Sequence, residues 1–223
     1  MIKALFYKEC IKTRWYLLLA TLASLGVTGF LMLRIGRAIT LKGADHIWQA
    51  MILKDGVFID MLQYIPLLIG ILLAVVQFAP EMQRKCLKLT LHLPCSQLKM
   101  LFAMLCFGMI GLTGCFATNF LVMGFFLPVH FAAEMVRHIL LTALPWYVAG
   151  YAGYLFISWV CLEPVWKVRI FNLIVSVLVF RIFFLAPAAE AYDSFLPWLI
   201  LYTLLASCLS WISVTRFKEG KQD

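Results

Sequence analysis

Long apolar segments separated by short polar ones set the pattern of this chain. Six segments are long enough to cross a bilayer, because a helix rises ~1.5 Å per residue and the hydrocarbon layer is ~30 Å thick. We place them at about 15–33, 61–80, 100–127, 139–162, 170–187 and 196–214. None shows the alternation of a transmembrane β-strand. The pattern predicts an all-α integral membrane bundle of six transmembrane helices, with residues 1–223 in a single domain.

The overall composition agrees with a membrane environment. Apolar residues make up 64% of the 223 residues and charged residues only 13%, and the mean hydropathy is +0.94. Soluble domains carry about 45–50% apolar and about 25% charged residues. The first span has an apolar core longer than that of a signal peptide and is not followed by a cleavage site, so we expect it to be retained.

Positive charges are distributed unevenly around the spans. With the N-terminus placed inside, thirteen of the 19 Lys and Arg residues fall in inside segments, five in outside loops, and one, Arg181, within the fifth span. Cytoplasmic loops carry the excess of Lys and Arg in membrane proteins. We therefore predict that both termini and residues 81–99 are cytoplasmic. The net charge of +8 is then a topology signal rather than a sign of nucleic-acid binding.

Motifs for membrane enzymes and metal sites do not occur in the sequence. The seven Cys residues include no C-x-x-C, and the four His residues form no ligand pair at helical spacing. There is no G-x-S-x-G, no H-E-x-x-H and no G-x-x-x-x-G-K-[ST] phosphate loop. We therefore expect no catalytic residues, no metal site and no cofactor in this chain, and no nucleotide hydrolysis by the chain alone.

The loop at 81–99 is the most informative polar segment. Its leucines alternate with polar residues at Leu87, Leu89, Leu91 and Leu93. Such alternation is typical of a strand, but a single strand at a membrane surface has no partner, so we favour a short interfacial helix. That helix would present Arg84, Lys85 and Lys88 to the cytoplasm, and Pro94 would end it. The alternative is a basic loop that only enforces topology.

This loop resembles that of permease subunits of type-2 ATP-binding-cassette exporters. In that family the loop between helices two and three opens with an acidic residue and passes through alternating leucines to Leu-Pro-x-Ser. The residues that match here, in order, are Glu81, Leu87, Leu89, Leu91, Leu93, Pro94 and Ser96. The segment 4–12 is also similar to the family's opening helix, which lies along the inner membrane face. The resemblance therefore implies an N-terminal amphipathic interfacial helix at 1–14.

The resemblance implies a mechanical function. In such exporters the loop and the N-terminal helix seat on a separate ATPase subunit, and two ATPases drive two permeases, identical or homologous. We expect Glu81, Arg84, Lys85 and Lys88 to form the ATPase-docking surface, with ATP bound by the partner subunit. The expected location is the bacterial cytoplasmic (inner) membrane, and the substrate stays open. The alternative function is a membrane-embedded enzyme or assembly factor without transport activity.

Two groups of uncharged residues stand out within the spans. Gly108, Gly111 and Gly114 recur every three residues, and small residues allow close helix contact, although Gly is common in membrane helices in any case. Aromatic residues crowd the fourth span at Trp146, Tyr147, Tyr151 and Tyr154. For these we favour an aromatic belt at the membrane interface over a substrate-contacting surface.

Arg181 is a charge inside a predicted span. It follows Arg169 by twelve residues, which places it ~18 Å further along the fifth helix, in the outer half of the bilayer. An Arg at a helix centre costs ~2.5–3.5 kcal/mol on insertion scales, and less when its side chain reaches the interface. We favour an orientation towards Glu190 or Asp193. A position on the translocation path and a contact between subunits are the alternatives.

Overall fold

The computed structural model describes residues 2–42, 59–83, 96–186 and 191–218. These residues form six α-helices and one short 3-10 helix, Asp60–Leu62, with no strand among them. The α-helices are α1 (Ile2–Lys42), α2 (Ile65–Gln83), α3 (Gln97–His130), α4 (Ala133–Leu162), α5 (Trp166–Ile182) and α6 (Leu196–Lys218). The prediction of an all-helical chain is therefore confirmed for this part of the sequence.

Five of the helices are long and apolar enough to cross a membrane. They are α1, α2, α3, α4 and α6, while α5 has 17 residues and a length of ~25 Å. The sequence predicted a span at 170–187, but α5 begins at Trp166 and ends at Ile182, directly after Arg181. By length and composition, the five candidate spans fit a multi-pass membrane protein, and the sixth predicted span corresponds to a shorter helix.

Helix α1 is continuous over 41 residues, or about 62 Å. The predicted interfacial helix at 1–14 and the first predicted span thus belong to one uninterrupted helix. The segment Ile2–Lys42 contains no Pro that would break the helix. Because α1 is about twice as long as the hydrocarbon layer is thick, part of it extends beyond that layer.

Three other helices contain a proline beyond their first turn. Pro80, Pro128 and Pro145 lie inside α2, α3 and α4, as transmembrane helices tolerate. Pro164 acts differently, because the residue before a proline disfavours the helical conformation. Glu163 is accordingly extended, with φ −74° and ψ 122°, and α4 ends at Leu162.

Contacts between side chains fix the directions of the first four helices. The rings of Phe6 and Phe107 lie 5.7 Å apart, and further along both helices Thr28 donates to Asn119 over 3.2 Å, so α1 and α3 run parallel. Helices α2 and α4 also run parallel. A Cβ on Gly70 would overlap the carbonyl of Gly150, and further along both helices the Tyr154 hydroxyl donates to Gln77.

The last helices complete an alternating bundle. Ser158 lies 3.3 Å from Ser210, and further along both helices Ser213 bonds Glu163, so α4 and α6 run parallel. The rings of Tyr64 and Phe184 lie 4.9 Å apart, which places the end of α5 beside the start of α2. We call the end of the bundle where α2, α4 and α6 finish the Glu81 end, and the opposite end the Tyr64 end. Helix α1 begins at the Glu81 end, where α6 finishes.

The core of the bundle surrounds α4. Of its most apolar window 78% is buried, against 22% for α1 and 33% for α6. Tyr154 is fully buried, and Trp146 and Tyr147 are also buried. The predicted aromatic belt is therefore wrong for these three residues. Helix α4 is in the centre of the bundle, so its aromatic side chains pack against other helices instead of facing the membrane interface.

Candidate functional site

Buried carboxylates mark the Glu81 end of the bundle. Glu9, Glu81 and Glu163 are 0%, 3% and 0% exposed, respectively. Each lies where a helix starts or finishes at that end. Burying a carboxylate is costly unless it is paired, so the surroundings of these three groups show which helices are held together there.

Two lysines of α1 hold Glu81 of α2. The Nζ atoms of Lys8 and Lys12 each lie 2.8 Å from Oε1 of Glu81. Lys12 also lies 3.1 Å from Oε2 of Glu9, one turn earlier in its own helix. We call Lys8, Glu9, Lys12 and Glu81 the α1–α2 charge cluster.

Helical geometry explains why the cluster forms. Residues three and four apart lie on the same face of a helix, so Lys8 and Lys12 both face α2. Glu9 approaches both lysines, at 3.9 Å from Lys8 and 3.1 Å from Lys12. Glu81 lies in the last turn of α2, two residues before Gln83. The two carboxylates and two ammonium groups balance in charge.

The α1–α2 charge cluster connects the N-terminal part of α1 to the end of α2. Glu81 is the first residue of the segment 81–99 that the sequence singled out, and Lys8 and Lys12 belong to the N-terminal part of α1. A displacement of the loop at the end of α2 would therefore act directly on α1. The ion pairs therefore couple the N-terminal part of α1 to the end of α2.

A second cluster joins the other helices at the same end. Ser213 of α6 donates to Oε2 of Glu163, and Arg216 of the same helix lies 3.7 Å from Oε1. Nε of Arg169 in α5 donates to the Glu163 carbonyl over 3.1 Å. Glu163 thus ties α5 and α6 to the end of α4.

Deeper in the bundle, a hydrogen-bond chain links three helices. The Tyr154 hydroxyl donates to Oε1 of Gln77 over 2.8 Å, and Nε2 of Gln77 donates to the Met104 carbonyl over 2.9 Å. The Tyr154 hydroxyl occupies the space that a side chain at position 108 would need, because a Cβ on Gly108 would lie 2.1 Å from it. The chain fixes α2, α3 and α4 relative to one another.

The predicted docking residues are only partly described. Glu81 is buried in the α1–α2 charge cluster, with its carboxylate directed at α1. Arg84, Lys85 and Lys88 lie outside the described residues. Their assignment to an ATPase-docking surface stays a prediction.

The three predicted packing glycines have different surroundings. Gly108 is covered by Tyr154 of α4, and a Cβ on Gly111 would lie 3.1 Å from Leu17 of α1. Around Gly114 there is open space, with no atom within 4 Å of a Cβ built there. Two of the three positions thus approach another helix of this chain, and the third faces outward.

Arg181 is exposed in the last turn of α5. Among the described residues it forms no ion pair, and Glu190, one of the two acidic residues expected to attract it, is not described. Within those same residues, no group of three or more His, Cys, Asp or Glu side chains could hold a metal ion.

Sequence reasoning missed several residues that the fold brings together. Glu9 is the only acidic residue in α1, between Lys8 and Lys12, and this charge pattern is a signal for an ion pair. Gln77 is a polar residue inside an apolar span and was a similar signal. No sequence pattern predicts the contact between Ser213 and Glu163, which are 50 residues apart.

No family model, no curated protein and no solved structure matches the chain.

Proposed function

We propose that this chain is the transmembrane permease subunit of an ATP-binding-cassette exporter. It would work with a second permease, identical or homologous, and with two separate ATPase subunits in a bacterial cytoplasmic membrane. The α1–α2 charge cluster is the observation that carries the proposal. It joins the N-terminal helix to the start of the loop that resembles a coupling loop, and these are the two segments that would meet the ATPase.

The alternating bundle also supports this function. Helix α1 begins and α6 finishes at the Glu81 end, as required for a chain with six spans and both termini on one side. The 17-residue α5 would cross the membrane as the fifth span, because a short helix is accommodated by local thinning of the bilayer. The excess of Lys and Arg in the segments at the Glu81 end favours a cytoplasmic location for that end.

The docking residues would then have two separate tasks. Arg84, Lys85 and Lys88 would face acidic groups of the ATPase, because complementary charges set the register and specificity of an interface. Glu81 would act from inside the chain by holding Lys8 and Lys12, so that α1 moves together with the loop. Closure of the two ATPases would pull on both segments at once and tilt the permeases relative to each other.

The first test is the composition of the native complex. An affinity-tagged chain, solubilised in mild detergent from its native membrane, should copurify with a subunit that carries Walker motifs. The complex should hydrolyse ATP, and the chain purified alone should not. Recovery of the chain with no nucleotide-binding subunit, or ATP turnover by the chain alone, would favour the membrane enzyme or assembly factor instead.

A charge-reversal pair tests the docking surface itself. The double variant Arg84→Glu/Lys85→Glu should lose at least about tenfold in ATPase recovery, since like charges across an interface cost several kcal/mol. The matched control is Arg34→Glu/Arg37→Glu, which reverses two exposed cations near the opposite end of α1. The control should bind the ATPase like the wild type. Equal recovery of the ATPase with both double variants would show that the cations of the loop only set the membrane orientation of the chain and do not bind the ATPase.

A further inference from the structure

One oxygen of Glu9 is left unpaired inside the α1–α2 charge cluster. The Glu9 side chain is fully buried, and its Oε2 atom accepts no hydrogen bond from the described residues. Lys12 approaches Oε2 at 3.1 Å but directs its hydrogen bond at Oε1, over 3.4 Å. A buried acceptor without a donor is costly, and more so when it is charged. A proton on Oε2 would remove this cost.

Glu81 takes the larger share of the two lysines. The Nζ atoms of Lys8 and Lys12 both lie 2.8 Å from Oε1 of Glu81, whereas they lie 3.9 and 3.1 Å from Glu9. Glu9 and Lys12 also belong to the same helix, so their contact does not hold α2. The lysines therefore offset the charge of Glu81 better than the charge of Glu9.

The two carboxylates are close enough to repel each other. Nζ of Lys12 is 3.1 Å from Oε2 of Glu9 and 2.8 Å from Oε1 of Glu81, so these oxygens lie less than ~6 Å apart, a range in which like charges disfavour double ionisation. Both groups are buried, which reduces the screening of this repulsion by water. One proton on the pair relieves the repulsion.

The other helices packed against this part of α1 contribute aromatic side chains. Helix α3 presents Phe107, whose ring lies 5.7 Å from that of Phe6. Helix α4 presents the Tyr154 hydroxyl, which is within electrostatic reach of Glu9 and donates its hydrogen to Gln77. The charged groups that act on Glu9, among the described residues, are Lys8, Lys12 and Glu81.

These surroundings move the pKa values of the two carboxyl groups in opposite directions. Both groups lie outside the apolar segments that the sequence predicts as spans. Burial raises the pKa of Glu9 above its ordinary value of 4.5, and the attraction of Lys12 offsets this only in part. Burial acts on Glu81 as well, but hydrogen bonds from Lys12 and Lys8 outweigh it and lower the pKa of Glu81. Of the two groups, Glu9 is thus the one that accepts a proton while the other stays ionised.

We propose that Glu9 is a proton-binding site, and that its protonation strengthens the link between α1 and α2 by leaving Lys12 to Glu81 alone. The proton comes from the aqueous phase at the Glu81 end and binds Oε2, which changes the charge cluster from neutral to singly positive. The site makes the attachment of the N-terminal part of α1 sensitive to pH. It is a property of this chain alone and does not depend on an ATPase or on transport.

Infrared difference spectroscopy of the purified full-length chain in nanodiscs tests the site. As the pH is lowered from about 8 to about 5, a carboxyl group that takes up a proton gains a C=O stretching band, while exposed Glu side chains stay ionised. The wild type should gain this band, Glu9→Gln should not, and Glu134→Gln, which changes an exposed carboxylate of α4, should behave like the wild type. Glu81→Gln should shift the band to lower pH by at least about one unit, because both lysines then serve Glu9.

Three results of this experiment would overturn the proposal. The first is a wild type without the band, and the second is a Glu9→Gln variant that keeps it. The third is loss of the band from Glu163→Gln, which would assign the proton to the buried carboxylate of the second cluster.

The pH dependence of unfolding by SDS gives a second readout. The folded chain holds the Glu9 proton more tightly than the unfolded chain, so this stabilisation is present at low pH and is lost as the pH rises through the raised pKa. Glu81, whose pKa is lowered, contributes a constant amount above pH 4.5. Between about pH 8 and about pH 5, the unfolding midpoint of the wild type should therefore rise more than that of Glu9→Gln as the pH falls. Equal changes in the two proteins would contradict the assignment.

Discussion

Removal of the Lys12 ammonium group should destabilise the bundle far more than removal of the Lys8 ammonium group. Both Nζ atoms lie 2.8 Å from the same oxygen of Glu81, so distance alone predicts equal effects. Their surroundings differ, because the Lys8 side chain is 41% exposed and the Lys12 side chain 21%. Lys12 also serves a second buried carboxylate, that of Glu9.

The magnitudes follow from what each substitution leaves behind. Lys12→Met leaves Glu9 and Glu81 as neighbouring buried carboxylates, and the loss of one partner of a buried pair costs ~3–5 kcal/mol. Because Lys12 is partly exposed, we expect the low end of that range, about 3 kcal/mol. Lys8→Met leaves Glu81 paired with Lys12 and removes only the more exposed of its two partners, so we expect a loss below ~1 kcal/mol. Glu9→Gln should recover part of the loss in the Lys12→Met background, since it removes one of the two carboxylates.

Unfolding of the purified variants by SDS, in mixed micelles and followed by far-UV circular dichroism, measures these differences. The midpoint should fall clearly for Lys12→Met and only slightly for Lys8→Met. Lys167→Met, which removes an exposed cation near the same end, should behave like the wild type. Equal shifts for Lys8→Met and Lys12→Met, or no recovery in the double variant with Glu9→Gln, would refute the role assigned to burial.

Three further predictions concern packing, hydrogen bonding and topology. Gly70→Ala should lower the free energy of unfolding by about 1–3 kcal/mol in the same assay, because its Cβ would overlap the backbone of α4. Gly114→Ala is the control: its Cβ would lie in open space, so the free energy of unfolding should change by less than ~0.5 kcal/mol. Equal effects would show that the close contact between α2 and α4 does not limit stability. Tyr154→Phe should cost about 1–3 kcal/mol, because it leaves a buried amide oxygen without its donor, and a neutral result would contradict the role of the hydrogen-bond chain. In intact cells, an impermeant thiol reagent should label a cysteine placed at Asp193 but not one placed at Gln222, and the reverse pattern would show that the predicted orientation is wrong.

The sequence predicts the membrane helices well because their signal is local. An apolar segment of about 20 residues shows its character within one window, whatever its neighbours are. The ends of the helices are less predictable. Helix α1 continues to Lys42, well beyond the apolar segment at 15–33, because hydrogen bonds within a helix do not require apolar side chains.

Pairings between distant residues could not be predicted in the same way. The sequence shows Glu81 as the acidic start of a loop, and its burial against Lys8 and Lys12 depends on how α1 crosses α2. The aromatic residues of α4 show the same difficulty. Composition alone does not distinguish a helix in the centre of a bundle from one at its surface, so Tyr154 was expected at the membrane interface but lies in the core.

Photocrosslinking at one residue of the loop tests the proposed function most directly. A photoreactive amino acid replaces Lys85 at the proposed docking surface, or Arg37 near the opposite end of α1 as the control, and each variant is irradiated in its native membrane. The account predicts a covalent adduct with a nucleotide-binding subunit from position 85 and none from position 37. Absence of such an adduct from position 85, while the chain is correctly inserted, would contradict the assignment of this chain as an exporter permease.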